Sequence, residues 1–419
     1  MLEKTVLENG VRIISEKMPE VRSATLGIWV SVGSRSDPPG REGMAHFTEH
    51  MLFKGTTRRS AVQIAKEIDA LGGVLNAQTA KEYTVYYTRV LDEYLDKASD
   101  VLFDLFLDSL INPGEMEKEK KVVVQEIRMT EDTPDDYITD LFAEAFFQKS
   151  TLGVPILGSV ESVGSIGRND VLDFISTLYA PSSIIVSGVG NLDHEHLVDL
   201  AATRFGGLKN VAMSGGAIAA RPEFSGKTRV FTRDIEQVHI TLGTPGASMV
   251  DDSRWALIVL NTILGGSMSS MLFQEAREKL GLVYSIYSYV SSYRDCGVLA
   301  AYAAATPEHV RQTIDVIAAQ MEKLKKGDFG GISMDDVKTQ IKGNLLLSRE
   351  SSVNRMSSLS KNEIYYGRDI SVDEVIRSIE GVKASDVVEL AGEIFQRSKI
   401  TMVTLGKLDE AGVGEIPLG

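Results

Sequence analysis

The chain has 419 residues, with 44 Lys and Arg against 58 Asp and Glu and a formal net charge of −14. That balance excludes the basic face a nucleic-acid binder needs and suits cationic or extended peptides drawn in by long-range attraction. Hydrophobic residues make up 43% and charged residues 24%, a soluble globular composition. It has no run of about twenty apolar residues for a membrane span and enough length for two domains of about 200 residues.

The start, Met1 to Ile14, lacks both an apolar signal core and the Arg/Ser-rich, acid-poor character of an organelle presequence, so a cytoplasmic location is expected. It reads as two strands joined by an Asn9-Gly10 hairpin turn. A strand pattern follows at Ser23 to Val32. Next comes His46-Phe47-Thr48-Glu49-His50, inside a stretch with no helix breaker from 44 to 54 and Gly55 as its stop. Residues four apart lie one above the other on a helix, so His46 and His50 can grip one ion together. Glu49 is displaced from that line and can touch a metal-held water without ligating the metal. This H-x-x-E-H order is the zinc-protease motif H-E-x-x-H inverted. Two histidines packed on an amphipathic helix would give the same letters, and a catalytic zinc site wants a third protein ligand.

Ser60 and Gln63 form a capping box that opens a helix running to Leu71. Strands are expected at 73–80 and 83–90, then helices near 92–109 and 114–133. The last of these supplies Glu119 and Glu126, seven residues apart and on one face, with backbones about 10 Å apart. One would be the third ligand and the other an outer group that orients water, substrate or ligand; spacing alone does not say which. Acidic residues cluster just beyond, at Glu131, Asp132, Asp135, Asp136 and Asp140. Asp136 and Asp140 are one turn apart and could form an anionic pocket, or could simply be carboxylates favoured at a helix start. In Asp193-His194-Glu195-His196 the histidines are two apart and point away from each other, so Asp193 is read as an N-cap.

The second half repeats the first. A strand at Gln237 to Leu242, helices at Asp252 to Leu264 and Met268 to Lys279, strands at 283–290 and 295–305, and helices near 307–325 and 334–348 restore the order β-α-α-β-β-α-α at an offset of about 210 residues. Its counterpart of the histidine helix, Leu257 to Leu264, contains no metal ligand. The expected organisation is α+β: a metal-binding domain at 1–210, a linker at 211–227, and a homologous domain at 228–419, each a mainly antiparallel sheet layered with helices. The single Cys296 forbids an internal disulfide and points to a reducing compartment.

Together these motifs resemble the pitrilysin (insulinase) family of metallopeptidases, in its half-length branch that includes the mitochondrial processing peptidase β subunit. The resemblance rests on His46 to Thr56, Leu71 to Thr79, Glu82 to Tyr86, Glu117 to Glu126, Glu131 to Asp136, and Arg277-Glu278-Lys279-Leu280-Gly281-Leu282-Val283-Tyr284. It implies one Zn2+ per chain on His46, His50 and Glu126, with Glu49 as general base and Glu119 as an auxiliary acid. It further implies that Arg277 and Tyr284 hold substrate, that Asn76 and Ala77 pair with an extended peptide by strand addition, and that Asp136 and Asp140 receive a basic side chain. A two-domain chain of this kind would close into a clam-shell only with a partner. A homodimer is expected, with a heterodimer containing a degenerate sister as the competing assembly. The rival function is a scaffold subunit like the core proteins of the cytochrome bc1 complex.

Overall fold

The strand Ser23–Val30 is buried at every position but its first, which requires cover on both faces of its sheet. The computed structural model, which describes residues 2–209, 222–409 and 413–418, shows where that cover comes from. The first sheet contains β1 (Leu2–Val6), β2 (Arg12–Lys17), β3 (Ser23–Val30), β4 (Val74–Thr79), β5 (Thr84–Leu91) and β6 (Ile184–Gly190) in the order β1-β2-β6-β3-β5-β4. The helices of this half are α1 (Met44–Leu52), α2 (Ala61–Ala70), α3 (Leu95–Leu107), α4 (Pro113–Asp132), α5 (Pro134–Phe146), α6 (Val160–Ser165), α7 (Arg168–Leu178) and α8 (His194–Phe205). Ala24, Leu26, Ile28 and Val30 share a core with α1, α3 and α8. The alternate side chains of β3 face the other way, as strand periodicity requires.

The second sheet contains β7 (Lys227–Thr232), β8 (Val238–Gly246), β9 (Val283–Ser292), β10 (Gly297–Ala305) and β11 (Thr401–Gly406), ordered β7-β11-β8-β10-β9. The helices of the second half of the sequence are α9 (Arg254–Leu264), α10 (Val310–Lys325), α11 (Met334–Ser348), α12 (Ser352–Tyr366), α13 (Val372–Gly381) and α14 (Ala384–Ile394). Strand for strand this is the first sheet without its β1. Each has one parallel pair, β2 with β6 and β7 with β11, and is otherwise antiparallel. The repeat read from the sequence is thus a repeat of topology.

The contiguous split at 1–210 and 228–419 is not how the contacts divide the chain. One unit is Met1–Met129, Val154–Ala220 and Ser348–Asp369; the other is Thr130–Gly153, Arg221–Leu347 and Ile370–Gly419. The reason is a reciprocal exchange of helices. The outer face of the first sheet is covered by α12, from the second half of the sequence, and the outer face of the second sheet by α5, from the first half. Both central strands carry a glycine where the visiting helix comes closest. A Cβ on Gly27 would sit 2.7 Å from the Met356 sulfur, and one on Gly243 would sit 2.2 Å from a ring carbon of Phe142. Of the expected linker, 211–221 lies outside the described residues; 222–226 has no regular structure before β7 begins.

Two local expectations change. The β1–β2 hairpin forms, but Val6 pairs with Arg12, so the connection has five residues and Gly10 takes φ +94. Asn9 sits there because its side-chain amide donates to the carbonyls of Phe205 and Leu208, at 2.8 and 3.1 Å. The helix expected at Met268 to Lys279 is wound as a π-helix over Phe273–Lys279, a form that leaves a wider ring of backbone bonds.

Candidate metal centre

The helix α1 is set at both ends by contacts outside itself. Gly43, its N-cap, has φ 89, and a Cβ there would lie 2.5 Å from the Leu157 carbonyl oxygen, so glycine is required. The first amides of the helix find Asp37 instead of a neighbouring cap: Gly43 N and Ala45 N donate to its two carboxylate oxygens at 2.8 and 2.9 Å. Burial pushes the Asp37 carboxyl up to about 7, against the lowering effect of these two amides. Beyond the C-terminus, the loop Thr56 to Arg59 is tied to α3 by Asp104, which accepts from Thr56, Arg58 and Arg59 at 2.7–2.8 Å. The buried face of α1 is Met44, Ala45, Phe47, Thr48, Met51 and Leu52, which leaves His46, Glu49 and His50 on the other side.

The structure brings His46, His50 and Glu126 together, with one ligand atom from each within 4.8 Å of the others. The Glu126 Oε2 lies 3.8 Å from His46 Nε2 and 3.6 Å from His50 Nε2. Those distances are too long for hydrogen bonds and close to the ligand separation of about 3.4 Å expected when bonds of about 2.1 Å meet tetrahedrally. Burial, then the neighbouring His50, lowers the His46 pKa to about 3, so His46 offers a neutral imidazole. Its Nδ1 is buried without a hydrogen-bond partner. His50 differs. Its Nδ1 donates to Glu119 Oε1 at 2.7 Å, which turns Nε2 towards Glu126. Burial lowers the His50 pKa, but the Glu119 bond and the carboxylates of Glu126 and Glu49 outweigh it and raise it.

The two glutamates of α4 take different places, Glu126 beside the two histidine Nε2 atoms and Glu119 against His50 Nδ1. Glu119 is 4% exposed and is held by His50 and by Lys54 Nζ at 2.6 Å. Burial raises its carboxyl, but these two partners leave it below the usual range. It supports a histidine and stands outside the metal group, as outer-shell carboxylates do. Glu49 points to β4, where the Thr79 hydroxyl donates to its Oε2. Burial, opposed by that bond, holds the Glu49 carboxyl above its ordinary value, which fits a group that must take up a proton. Thr79 and Lys54 are supporting residues that motif reading passed over. Both were within reach of spacing: Lys54 is four residues after His50, in the turn that follows α1, and Thr79 is two after Ala77 on the strand.

The strand β4 forms one edge of its sheet. Because the Ala80 amide bonds to Tyr83 O, alternation turns the amides of Leu75, Ala77 and Thr79 to the open side. The outward Ala77 amide is held by the Asn76 side chain, whose Oδ1 accepts from it at 2.8 Å. Arg277, Tyr284, Asp136 and Asp140 lie in the other unit. Arg277, on the π-helix, stacks over the rings of Phe273 and Tyr284 at 4.8 and 5.2 Å, and Tyr284 is 77% exposed at the start of the edge strand β9. Asp136 is exposed and Asp140 half-buried along α5. His194 and His196 do not meet at a metal site: His194 bonds the hydroxyls of Thr5 and Ser15, His196 bonds Asp96, and Asp193 caps α8.

Comparison with known proteins gives the family and the fold. The model of the insulinase family, peptidase family M16, matches residues 12–160, and that of the peptidase M16 inactive domain matches 165–343. An uncharacterized zinc protease of Streptomyces coelicolor is 40% identical over 402 residues, covering 94% of this chain and 88% of the relative. One from Bacillus subtilis is 39% identical over 395 residues, covering 94% and 96%. Among solved structures, a protease from Helicobacter pylori superposes with TM-score 0.89 at 24% identity, covering 97% of this chain and 99% of that one. A peptidase M16 inactive domain from Pseudomonas fluorescens gives 0.86 at 18%, covering 97% and 98%.

Proposed function

The chain belongs to the insulinase family of peptidases, family M16, and from that premise we propose that it is a zinc-dependent endopeptidase acting on extended or unfolded peptides. The observation that carries this reading is the convergence of His46, His50 and Glu126 beside Glu49, a carboxylate on the same helix that has its own orienting partner. A donor set of two imidazoles and one carboxylate suits zinc and leaves a fourth position open. Held there, zinc supplies Lewis acidity to water and to a peptide carbonyl.

The remaining steps belong to the chain. Glu49, its carboxyl held above its ordinary value by burial, takes a proton from the attacking water on its Oε atoms and returns it to the leaving amine. Thr79 fixes the rotamer of Glu49 through its hydroxyl. Glu119 accepts the Nδ1 proton of His50 and so keeps that ring in the tautomer a ligand needs. The open edge of β4 takes the substrate backbone, with Asn76 releasing the Ala77 amide to it; main-chain pairing gives affinity with little sequence demand. In the second unit, Arg277 and Tyr284 are assigned to peptide binding and Asp136 and Asp140 to basic side chains. A homodimer and a cytoplasmic setting complete the reading. The first is supported by one chain carrying both the metal group and the Arg/Tyr pair, the second by a buried thiol at Cys296 that forms no disulfide.

The test is cleavage of a quenched, unstructured Arg-containing peptide by zinc-loaded wild type and by Glu49→Gln, with bound zinc measured in both. Turnover that falls at least about a thousandfold in the variant with zinc retained supports the proposal. Wild-type protein that holds zinc and leaves the peptide intact, alone and as a dimer, sinks it.

A further inference from the structure

The two helices that carry the metal group are joined by a short strut. Leaving α3, residues 109–112 run along the tail of α1 before α4 begins. The Leu110 amide donates to Gly55 O at 3.1 Å and the Ser109 hydroxyl to Met51 O at 3.3 Å, and Ser109 pairs with Thr56 in an isolated bridge. The chain then turns at Ile111, which has φ 45. A β-branched residue in that left-handed conformation is strained, and such strain persists only where the surroundings hold it. Ile111 is held by its side chain, 2% exposed in the core of the first unit, and by its carbonyl, which accepts from Arg168 Nε at 2.8 Å. The same guanidinium donates through a second nitrogen to Leu110 O at 3.2 Å. Directly after the turn, Asn112 Oδ1 accepts from the amides of Gly114 and Glu115, at 2.7 and 3.3 Å, and so caps α4.

We infer that Arg168 is a positioning residue of the metal centre: by fixing the strut between α1 and α4 it sets where Glu126 stands against the two histidines. The inference rests on the peptidase reading of this site. Arg168 opens α7, a helix that itself lies against α1, so the strut is referenced to the helix that carries His46 and His50. The need for such a fixture follows from leverage. From Pro113 to Glu126 the helix climbs about 20 Å, so a tilt of about 5° at its head displaces Glu126 by about 1.7 Å. A preorganised site tolerates about 0.5 Å. Met116, Val123 and Ile127 bury one face of α4, but apolar attraction is non-directional and leaves a helix freer to tilt than a hydrogen-bonded end does. A guanidinium on two successive carbonyls supplies the direction, because its donors form a planar, rigid fork.

The test reads metal binding without turnover. Zinc affinity is measured by competition with a chromophoric chelator, and the cobalt-loaded protein gives visible d–d bands that report ligand geometry. Arg168 is exposed, so its truncation opens no cavity in the core. Arg168→Ala is expected to bind zinc about tenfold more weakly, the low end of the loss for a group behind the ligands, with altered cobalt bands. Arg168→Lys should fall between, since lysine keeps the charge and loses the fork. Arg22→Ala, which removes an exposed arginine of the same unit that pairs with Asp92, should leave both readouts unchanged. Arg168→Ala with zinc affinity within about twofold of wild type and unaltered bands, or an equal loss in Arg22→Ala, would overturn the inference and leave the peptidase reading intact. Should Arg168→Ala not fold, Arg168→Lys decides by the same two measurements. Wild-type protein that binds no zinc removes the peptidase reading, and the positioning role with it.

Discussion

The two units share a strand order and differ in what they put on it. In the first, the helix after the central strand carries His46, Glu49 and His50. In the second, the equivalent α9 buries Ala256, Leu257, Val259, Leu260, Ile263 and Leu264. The covers differ in the same sense. Under α5 the second sheet is apolar, with Phe142 and Phe146 stacked at 5.3 Å over Val298, Ala300, Val403 and Leu405. Under α12 the first sheet is polar: Arg355 pairs with Glu16, Glu363 with Lys4 and Arg12 at 2.8 and 3.3 Å, and Ser352 with Thr25 at 2.8 Å. One topology thus serves as a site and as a packing block, and the choice is made by side chains on single faces of single helices.

Each unit holds one tryptophan, Trp29 in the first and Trp255 in the second, so single-tryptophan variants report the two unfolding transitions separately in urea. The largest effect should come from Phe142→Ala, which empties the apolar seat above Gly243 and costs the second unit about 3–5 kcal/mol, with little dependence on salt. Arg355→Ala should cost the first unit about 3 kcal/mol at most, because it leaves Glu16 beneath α12 with Arg349 alone, at 3.7 Å. Adding Glu16→Leu to Arg355→Met should recover most of that loss by converting the polar cover to the apolar kind. A double variant as weak as Arg355→Ala would show that the ionic cover is required in its own right.

The head of α1 supplies a smaller, pH-dependent contrast. With the Asp37 pKa near 7 in the folded chain and near 3.8 when unfolded, the native state alone holds that proton between these values. Its contribution to stability is therefore fullest below about pH 4 and falls as pH rises to about 7, by a few kcal/mol at most. Asp37→Asn should flatten that slope in the Trp29 transition and leave the Trp255 transition as it was. Smallest in free energy is Glu119→Gln, which should weaken zinc binding by about 10–100-fold, or about 1.4–2.7 kcal/mol. Competition with a chromophoric chelator would read it; an unchanged affinity would remove Glu119 from support of His50.

Much of this was legible in the chain itself. The H-x-x-E-H spacing needs only the helix pitch to put His46 and His50 on one face, and the repeat of strand and helix patterns was visible because both halves keep the same periods. The capping box at Ser60 and Gln63 and the N-cap at Asp193 were legible for the same reason: each joins residues within one turn. What depended on the tertiary structure is what joins residues far apart in sequence. Glu126 and Glu119 have equal claims by spacing, and only the packing of α4 against α1 gives one to His50 and Lys54 and the other to the metal group. Asp37 became a helix cap across six residues of loop, and Thr79 the partner of Glu49 across thirty residues. The exchange of α5 and α12 was invisible for a deeper reason. An amphipathic helix records in its sequence that it has a face to bury, and says nothing about which of two similar sheets will bury it.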